Sequence, residues 1–164
     1  MDRVKKERRK YYRYDMEMKV FFRIAYDITT RIKFQVLDLK RRCYSSRKYS
    51  GLSKNISAEG LGFVSRRRLN VGDIILLEVY VPKAKIPVVM QGEVCWSKKL
   101  PHSTKYKDMF HTGVRLITVD GQSVAQSIYY DRKHKVIWGI ALEAVFSSFK
   151  EMVAQLKLKK KAKR

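Results

Sequence analysis

The chain has 164 residues, 45% of them hydrophobic, which suits a single domain with one buried core. Its 37 Lys and Arg residues outweigh 15 Asp and Glu residues, and the net charge of +22 favours anionic partners: nucleic acid, acidic lipid, nucleotides or an acidic protein face. No apolar run reaches the roughly 18 residues of a membrane-spanning helix. The basic N-terminus lacks the apolar segment of a secretory signal. With only Cys43 and Cys95 present, we expect a cytoplasmic protein with reduced thiols.

The first part of the chain reads as a polar lead-in segment, residues 1–15, followed by strands over residues 16–119. Alternating apolar residues in "MEMKVFFRIAYDI" and "RIKFQVLDL" predict two strands, and the polar "KRRCYSSRKYSG" predicts a loop. "GLGFVS", "IILLEVYVP", "VVMQGEVCWS" and "MFHTGVRLITV" predict four more strands. Phe63, Trp96 and Phe110 are expected in the core. Short strands at this spacing, without helical patterns between them, favour a sandwich or a barrel.

Residues 120–157 change to a helical period and predict one helix or two. Asp120 is the predicted N-cap, and apolar residues recur on one helical face from Ile137 onwards. A basic tail, residues 158–164, ends the chain. Three interpretations of this extension stay open: a helix packed on its own barrel, self-association or docking on a partner protein, and attachment to anionic lipid.

The chain lacks the sequence patterns of known catalytic sites. His102, His111 and His134 are scattered, and there is no HExxH, GxSxG, phosphate-binding loop or GxGxxG pattern. We therefore predict that the protein is not an enzyme, with no catalytic residues, no metal site and no cofactor.

Two short patterns carry more information together than apart. "RRKYYR" places Arg9 and Arg13 four residues apart, and "NISAEG" contains Asn55, Ser57 and Gly60. Alone, the first is typical of a solvated charged face, and the second of a turn in which Gly60 supplies a positive φ. In this order, ahead of β-strands, they resemble the RxxxR and [D/N]xSxxG signature of the PilZ domain family, whose members bind cyclic di-GMP. The resemblance covers roughly residues 7–119, although the gap between Arg13 and Asn55 is longer than usual.

This resemblance implies a mainly β fold: a six-stranded antiparallel barrel with a C-terminal α-helical extension, preceded by an Arg-rich switch segment. It implies that Arg9 and Arg13 clamp cyclic di-GMP, because guanidinium groups bind phosphate and guanine bidentately and stack on bases. Arg8 would assist at a phosphate. It further implies that Asn55 and Ser57 contact the ligand and that Gly60 permits a close backbone approach; these six residues form the predicted site.

The function predicted from the resemblance is a cyclic di-GMP receptor that orders its N-terminal Arg segment on binding and signals to a downstream partner protein. Two alternatives stay open. One is a basic β-barrel that binds nucleic acid, which the charge and the Tyr-rich basic runs favour. The other is a PilZ-like adaptor that binds another protein and no ligand.

Overall fold

Six antiparallel strands close into a barrel in the computed structural model, which describes residues 30–82, 84–101, 107–132, 136–145 and 147. The barrel strands follow one another in the order β1, β3, β4, β7, β6 and β5, and pairing of β5 with β1 completes the ring. This architecture confirms the predicted mainly β barrel. The strands are β1 Arg31–Asp38, β2 Cys43–Tyr44, β3 Tyr49–Ile56, β4 Gly60–Ser65, β5 Ile74–Tyr80, β6 Val88–Lys99, β7 Phe110–Val119 and β8 Gln122–Ser123.

The core consists of the inward-facing residues that alternate along these strands. In β5, for example, Ile75 and Leu77 are fully buried while their neighbours are half-buried. Phe34 and Phe63 meet inside the barrel with ring centroids 5.1 Å apart. The largest fully buried side chains are Phe34, Phe63, Ile32, Ile75, Leu77, Met90, Val64, Val94 and Val119.

Strand β3 is the main difference from the prediction, because its first residues were expected to belong to a polar loop. The strand is polar along most of its length, but Ser53 is buried and its backbone NH donates to the carbonyl of Thr30 at 2.8 Å. The Ser53 hydroxyl also hydrogen-bonds the Thr30 hydroxyl. Pairing with β1 and β4 therefore satisfies polar groups that a propensity argument assigns to solvent. The predicted strand "MEMKVFFRIAYDI" lies outside the described residues.

The chain after the barrel contains short elements rather than one continuous helix. Helix α1 (Val124–Ser127) is capped by Ser123, so the N-cap predicted at Asp120 is wrong; Asp120 lies in a turn with φ of 48°. A hairpin of β9 (Tyr129–Asp131) and β10 (Val136–Trp138) follows. A second helix, α2, begins at residue 140 and is described through residue 145 and at residue 147.

The start of α2 packs on the barrel. Trp138, Ala141 and Leu142 are buried and belong to the same apolar cluster as the barrel core. The indole Nε1 of Trp138 donates to the carboxylate of Glu143 at 3.0 Å, which ties β10 to the helix. Ile137 lies in β10 and is half exposed, so the predicted helical face does not begin there.

Candidate functional site

The motif "NISAEG" forms the end of β3, a tight turn and the first residue of β4. The Ser57 backbone NH donates to the Gly60 carbonyl at 2.8 Å, and the Ser57 hydroxyl accepts from the Gly60 NH at 3.1 Å. The Glu59 NH also points at this hydroxyl, at 3.4 Å. Ser57 thus holds the turn closed through both its backbone and its side chain, as serine does in many turns.

Gly60 is needed for space rather than for backbone conformation. Its φ is not positive; among the described residues, the glycines with positive φ are Gly72 and Gly121. A Cβ at Gly60 would lie 2.9 Å from the carbonyl oxygen of Val114 on β7. The prediction that Gly60 supplies a positive φ is therefore wrong, and its role is the close approach of β4 to β7.

Four residues on neighbouring strands form one row across the outer face of the barrel. Asn55 on β3 pairs with Gly62 on β4, Gly62 pairs with Gly113 on β7, and Gly113 pairs with Trp96 on β6. Because paired residues point to the same face of a sheet, two glycines form a floor with Asn55 and Trp96 at its ends.

The side chains at the two ends of this row lie over the glycines, Asn55 over Gly62 and Trp96 over Gly113. A Cβ at Gly62 would overlap the side-chain oxygen of Asn55 and lie 3.1 Å from Nε2 of His111. A Cβ at Gly113 would lie 2.5 Å from the indole Nε1 of Trp96. Any other residue at either position would displace these side chains. We call the surface formed by Asn55, Gly62, Gly113, Trp96 and His111 the glycine recess.

Trp96 is an exposed wall of this recess. Its exposed fraction is 38%, so the prediction that it belongs to the core is wrong, whereas Phe63 is confirmed there and Phe110 is half-buried. The His111 ring meets the indole edge-on, with centroids 4.8 Å apart and an interplanar angle of 88°. The Lys98 ammonium lies 5.8 Å from the indole centroid, within cation–π distance.

His111 carries an unused polar atom into the recess. Its Nε2 is buried and has no hydrogen-bond partner among the described residues. Burial, with a smaller contribution from the charge of Lys54, lowers the pKa of His111 below its usual value. The folded protein therefore favours the neutral imidazole, and a ligand would reach its covered nitrogen by displacing the side chains around it.

A β-bulge explains why Trp96 faces outward. The register of β6 against β7 shifts between Val94 and Trp96, where Val94 pairs with Val114 and Trp96 pairs with Gly113. Strict alternation from the buried Val94 would turn Trp96 into the core, but the extra residue, Cys95, reverses the face. Beyond the bulge, Ser97 faces inward and its hydroxyl hydrogen-bonds that of Thr112 at 3.0 Å.

The predicted site residues divide into two groups. Asn55, Ser57 and Gly60 come together at the β3–β4 turn beside the glycine recess. Arg8, Arg9 and Arg13 lie outside the described residues. The sequence did not predict Trp96 or His111 as site residues, because neither belongs to the quoted motif and nothing in the sequence showed the bulge.

Charge near the recess is partly paired. Arg115, which pairs with Gly60 across the strands, forms an ion pair with Glu93 at 2.6 Å; both side chains are exposed, so this bridge contributes little to stability.

In the described part of the chain no group of three or more His, Cys, Asp or Glu residues could hold a metal ion. None of the helices described there is long and apolar enough to cross a membrane.

Comparison with known proteins identifies the family. A search of curated proteins found no match. The model of the PilZ domain matches residues 7–130, a range that includes the basic segment, the β3–β4 turn and all six barrel strands. The chain therefore belongs to the PilZ domain family, a family of cyclic di-GMP receptor domains.

Proposed function

We propose that this protein is a non-enzymatic receptor for cyclic di-GMP and that the glycine recess, together with the basic N-terminal segment, is its binding site. The observation that supports the proposal most strongly is the row from Asn55 to Trp96. It places a polar amide and an exposed indole, each lying over a glycine, beside the turn that carries the family signature.

A guanine base suits this surface. Its flat ring needs an aromatic partner on which to stack, which the exposed Trp96 provides, while the buried Gly62 and Gly113 leave room for Asn55 and Trp96 to lie close to the barrel. The guanine edge carries both donors and acceptors. The Asn55 amide both donates and accepts, and the Nε2 of His111 adds a further group at the same end of the recess.

Arg8, Arg9 and Arg13 would supply the positive charge. The ligand is dianionic, and guanidinium groups bind phosphate oxygens through paired, charge-assisted hydrogen bonds. In this proposal Arg9 and Arg13 close over the ligand from outside while the recess holds a base. Ser57 then acts by fixing the turn rather than by direct contact, because its hydroxyl already binds the Gly60 NH.

The turn also suggests where a signal would leave the site. Ala58 in this turn is buried, and a Cβ at Gly139 would lie 3.5 Å from the Ala58 Cβ. Gly139 immediately precedes α2, and the Ile140 NH donates to the Ser127 hydroxyl at 3.0 Å. A shift of the turn on binding would therefore reach the start of α2, and we propose that a partner protein contacts the exposed side of this helix, which includes Glu143.

Calorimetric titration of cyclic di-GMP against the whole chain tests the proposal. We expect binding by the native protein and at least about a hundredfold loss for Arg9→Ala/Arg13→Ala, because two charge-assisted contacts disappear. The matched control, Arg41→Ala/Arg42→Ala, removes the same charge from the exposed β1–β2 turn. Absence of binding by the native protein, or equal losses in both double variants, would contradict the proposal.

A further inference from the structure

A second concave surface lies on a different part of the barrel. It is a cavity of about 1100 Å³ whose lining comes mainly from β5, β1, β3 and the segment that follows β4. We call it the basic groove; the residues of the lining that matter here are Arg31, Lys33, Arg47, Tyr49, Arg66 and Arg67. Four adjacent strands span about 14 Å at the usual strand separation of ~4.8 Å, so the groove is wide enough for several phosphate groups.

The five cations of the basic groove have no carboxylate partner among the described residues. The ion pairs found there involve other cations: Arg41 with Asp38, Lys48 with Glu78, and Arg115 with Glu93. All five groove cations are exposed. Their charge is therefore not neutralised within the described part of the chain, and the concave surface concentrates it in one place.

Two of the guanidinium groups are held in position by one aromatic ring. The Arg67 guanidinium carbon lies 4.1 Å from the centroid of Tyr49, and that of Arg47 lies 5.3 Å away. Arg67 also donates to the Tyr49 hydroxyl at 2.7 Å. The ring is itself packed on the buried Phe34, at 5.5 Å between centroids. Arginines held in this way lose little freedom when they bind an anion.

The carboxylate that neighbours Lys33 across the strands has other partners. Glu78 pairs with Lys33 across β5 and β1, but its carboxylate accepts from Lys48 at 2.6 Å and from the Tyr80 hydroxyl. The hydrogen bonds from Lys48 and Tyr80 lower the pKa of Glu78. Glu78 therefore stays ionised and paired with Lys48, and the charge of Lys33 makes a smaller contribution to its lowered pKa without forming an ion pair.

We propose that the basic groove binds the phosphate backbone of single-stranded nucleic acid. Fixed guanidinium groups in a concave channel match phosphates that follow one another along a strand, and single-strand binders use such grooves. A flat bilayer surface would not enter the concavity. Because Tyr49 is already covered by two arginines, base stacking is restricted, and we expect binding that tolerates different sequences.

The groove is separate from the glycine recess. The groove cations are different residues from those of the recess, although the cavity lining extends to Leu52 on β3 and to Met109, two residues before His111. The proposal therefore does not rest on cyclic di-GMP binding, and either function can fail without the other.

Fluorescence anisotropy with a labelled oligouridylate of about 12 nucleotides tests this inference on the whole chain. The variant is Arg66→Gln/Arg67→Gln, and the matched control is Arg42→Gln/Arg68→Gln, which removes the same charge from exposed residues outside the groove lining. We expect the groove variant to bind about tenfold or more weakly. The slope of log K against log salt should fall by about 1.4, or ~0.7 for each lost phosphate contact.

The control should change affinity by less than about threefold at physiological salt, because Arg42 and Arg68 lie outside the groove lining and exposed charges are screened. Arg67→Lys should lose affinity despite its retained charge, because lysine lacks the planar fork. Unchanged cyclic di-GMP binding in the groove variant would show that the barrel is intact, with circular dichroism melting as a second check of the fold.

Four outcomes would overturn the inference. The first is an equal loss in the groove and control variants, which would indicate general charge attraction. The second is no binding, or no loss in the groove variant. The third is displacement of the oligonucleotide by inorganic triphosphate at equal phosphate concentration, which would make the site one for small phosphates. The fourth is groove-dependent binding to phosphatidylserine vesicles with none to the oligonucleotide.

Discussion

The glycine recess and the basic groove lie on the same small barrel but are built in opposite ways. In the recess, backbone and two glycines form the surface, and its shape depends on strand register and one bulge. In the groove, long cationic side chains form the surface, and its charge persists because the neighbouring carboxylate, Glu78, forms its ion pair with Lys48. The first arrangement suits one rigid ligand, and the second suits a variable polyanion. Single methyl groups should therefore disrupt the recess, whereas charge and salt should govern the groove.

Gly62→Ala should give the largest contrast between the two regions. The added methyl would meet the flexible Asn55 side chain rather than backbone, so the barrel should tolerate it while Asn55 moves into the recess. We expect cyclic di-GMP affinity to fall by at least about a hundredfold, since displacement of the Asn55 amide and crowding of the His111 ring each cost more than about 1.4 kcal/mol. Calorimetry measures this loss.

Oligonucleotide binding by Gly62→Ala should match that of the native protein. Gly60→Ala is the informative companion, because its methyl would meet the Val114 carbonyl and should lower the free energy of unfolding by about 1–3 kcal/mol. If Gly62→Ala bound cyclic di-GMP normally, the recess would not be the ligand site.

Trp96→Ala should give the next largest effect. Stacking of a base on an aromatic side chain contributes about 1–3 kcal/mol, so affinity for cyclic di-GMP should fall by roughly tenfold to a hundredfold. Trp96→Phe should recover part of the loss. Since the indole is partly exposed, the melting temperature should change little. A large fall in melting temperature without a change in affinity would show that Trp96 serves the fold.

Lowering the pH should reduce the free energy of unfolding, because His111 is partly buried in its neutral form. The folded state lowers the pKa of this imidazole, chiefly through burial, so it favours the neutral form. The stabilisation associated with the neutral ring is present above the unfolded-state pKa of about 6.5 and is lost as pH falls towards the folded-state value.

Denaturant titrations between pH 7.5 and pH 5 can measure this loss, with pH steps of about half a unit around the reference pKa of ~6.5. The free energy of unfolding should fall with pH in the native protein more than in His111→Gln, which cannot be protonated there. Identical slopes in the two proteins would contradict a buried neutral His111.

Glu78→Gln should produce the smallest effect of these variants. It should change oligonucleotide affinity and leave cyclic di-GMP affinity unchanged. Removing this carboxylate frees Lys48 and raises the positive potential beside Lys33. Oligonucleotide affinity should rise by about twofold to threefold at low salt and less at high salt, because exposed charges are screened. A similar gain in cyclic di-GMP affinity would mean that the two regions are not independent.

The sequence predicted those parts of the structure that follow from local pattern. The inward-facing residues of β1 alternate in the sequence as they do in the barrel, and the apolar run of β5 and "GLGFVS" of β4 form strands as expected. The Asn55, Ser57 and Gly60 spacing correctly placed a tight turn before β4. These features depend on residues close together in the chain, so they can be read without tertiary information.

The features that were missed depend on distant partners. Strand β3 is polar and becomes a strand because Thr30 and the neighbouring strands satisfy its buried groups. Trp96 is turned outward by a bulge that exists only when β6 pairs with β7. The free nitrogen of His111 likewise results from its neighbours on three strands. Propensity and periodicity carry no information about such pairings.

The outward position of Trp96 gives the protein an optical reporter at one of its two proposed sites. The chain has two tryptophans, and the other, Trp138, is buried and hydrogen-bonded to Glu143. The two indoles should therefore emit at different wavelengths, with the longer wavelength coming from the recess. In Trp138→Phe, quenching by a stacked base would follow occupancy of the recess without a label, while filling of the groove would leave the emission unchanged.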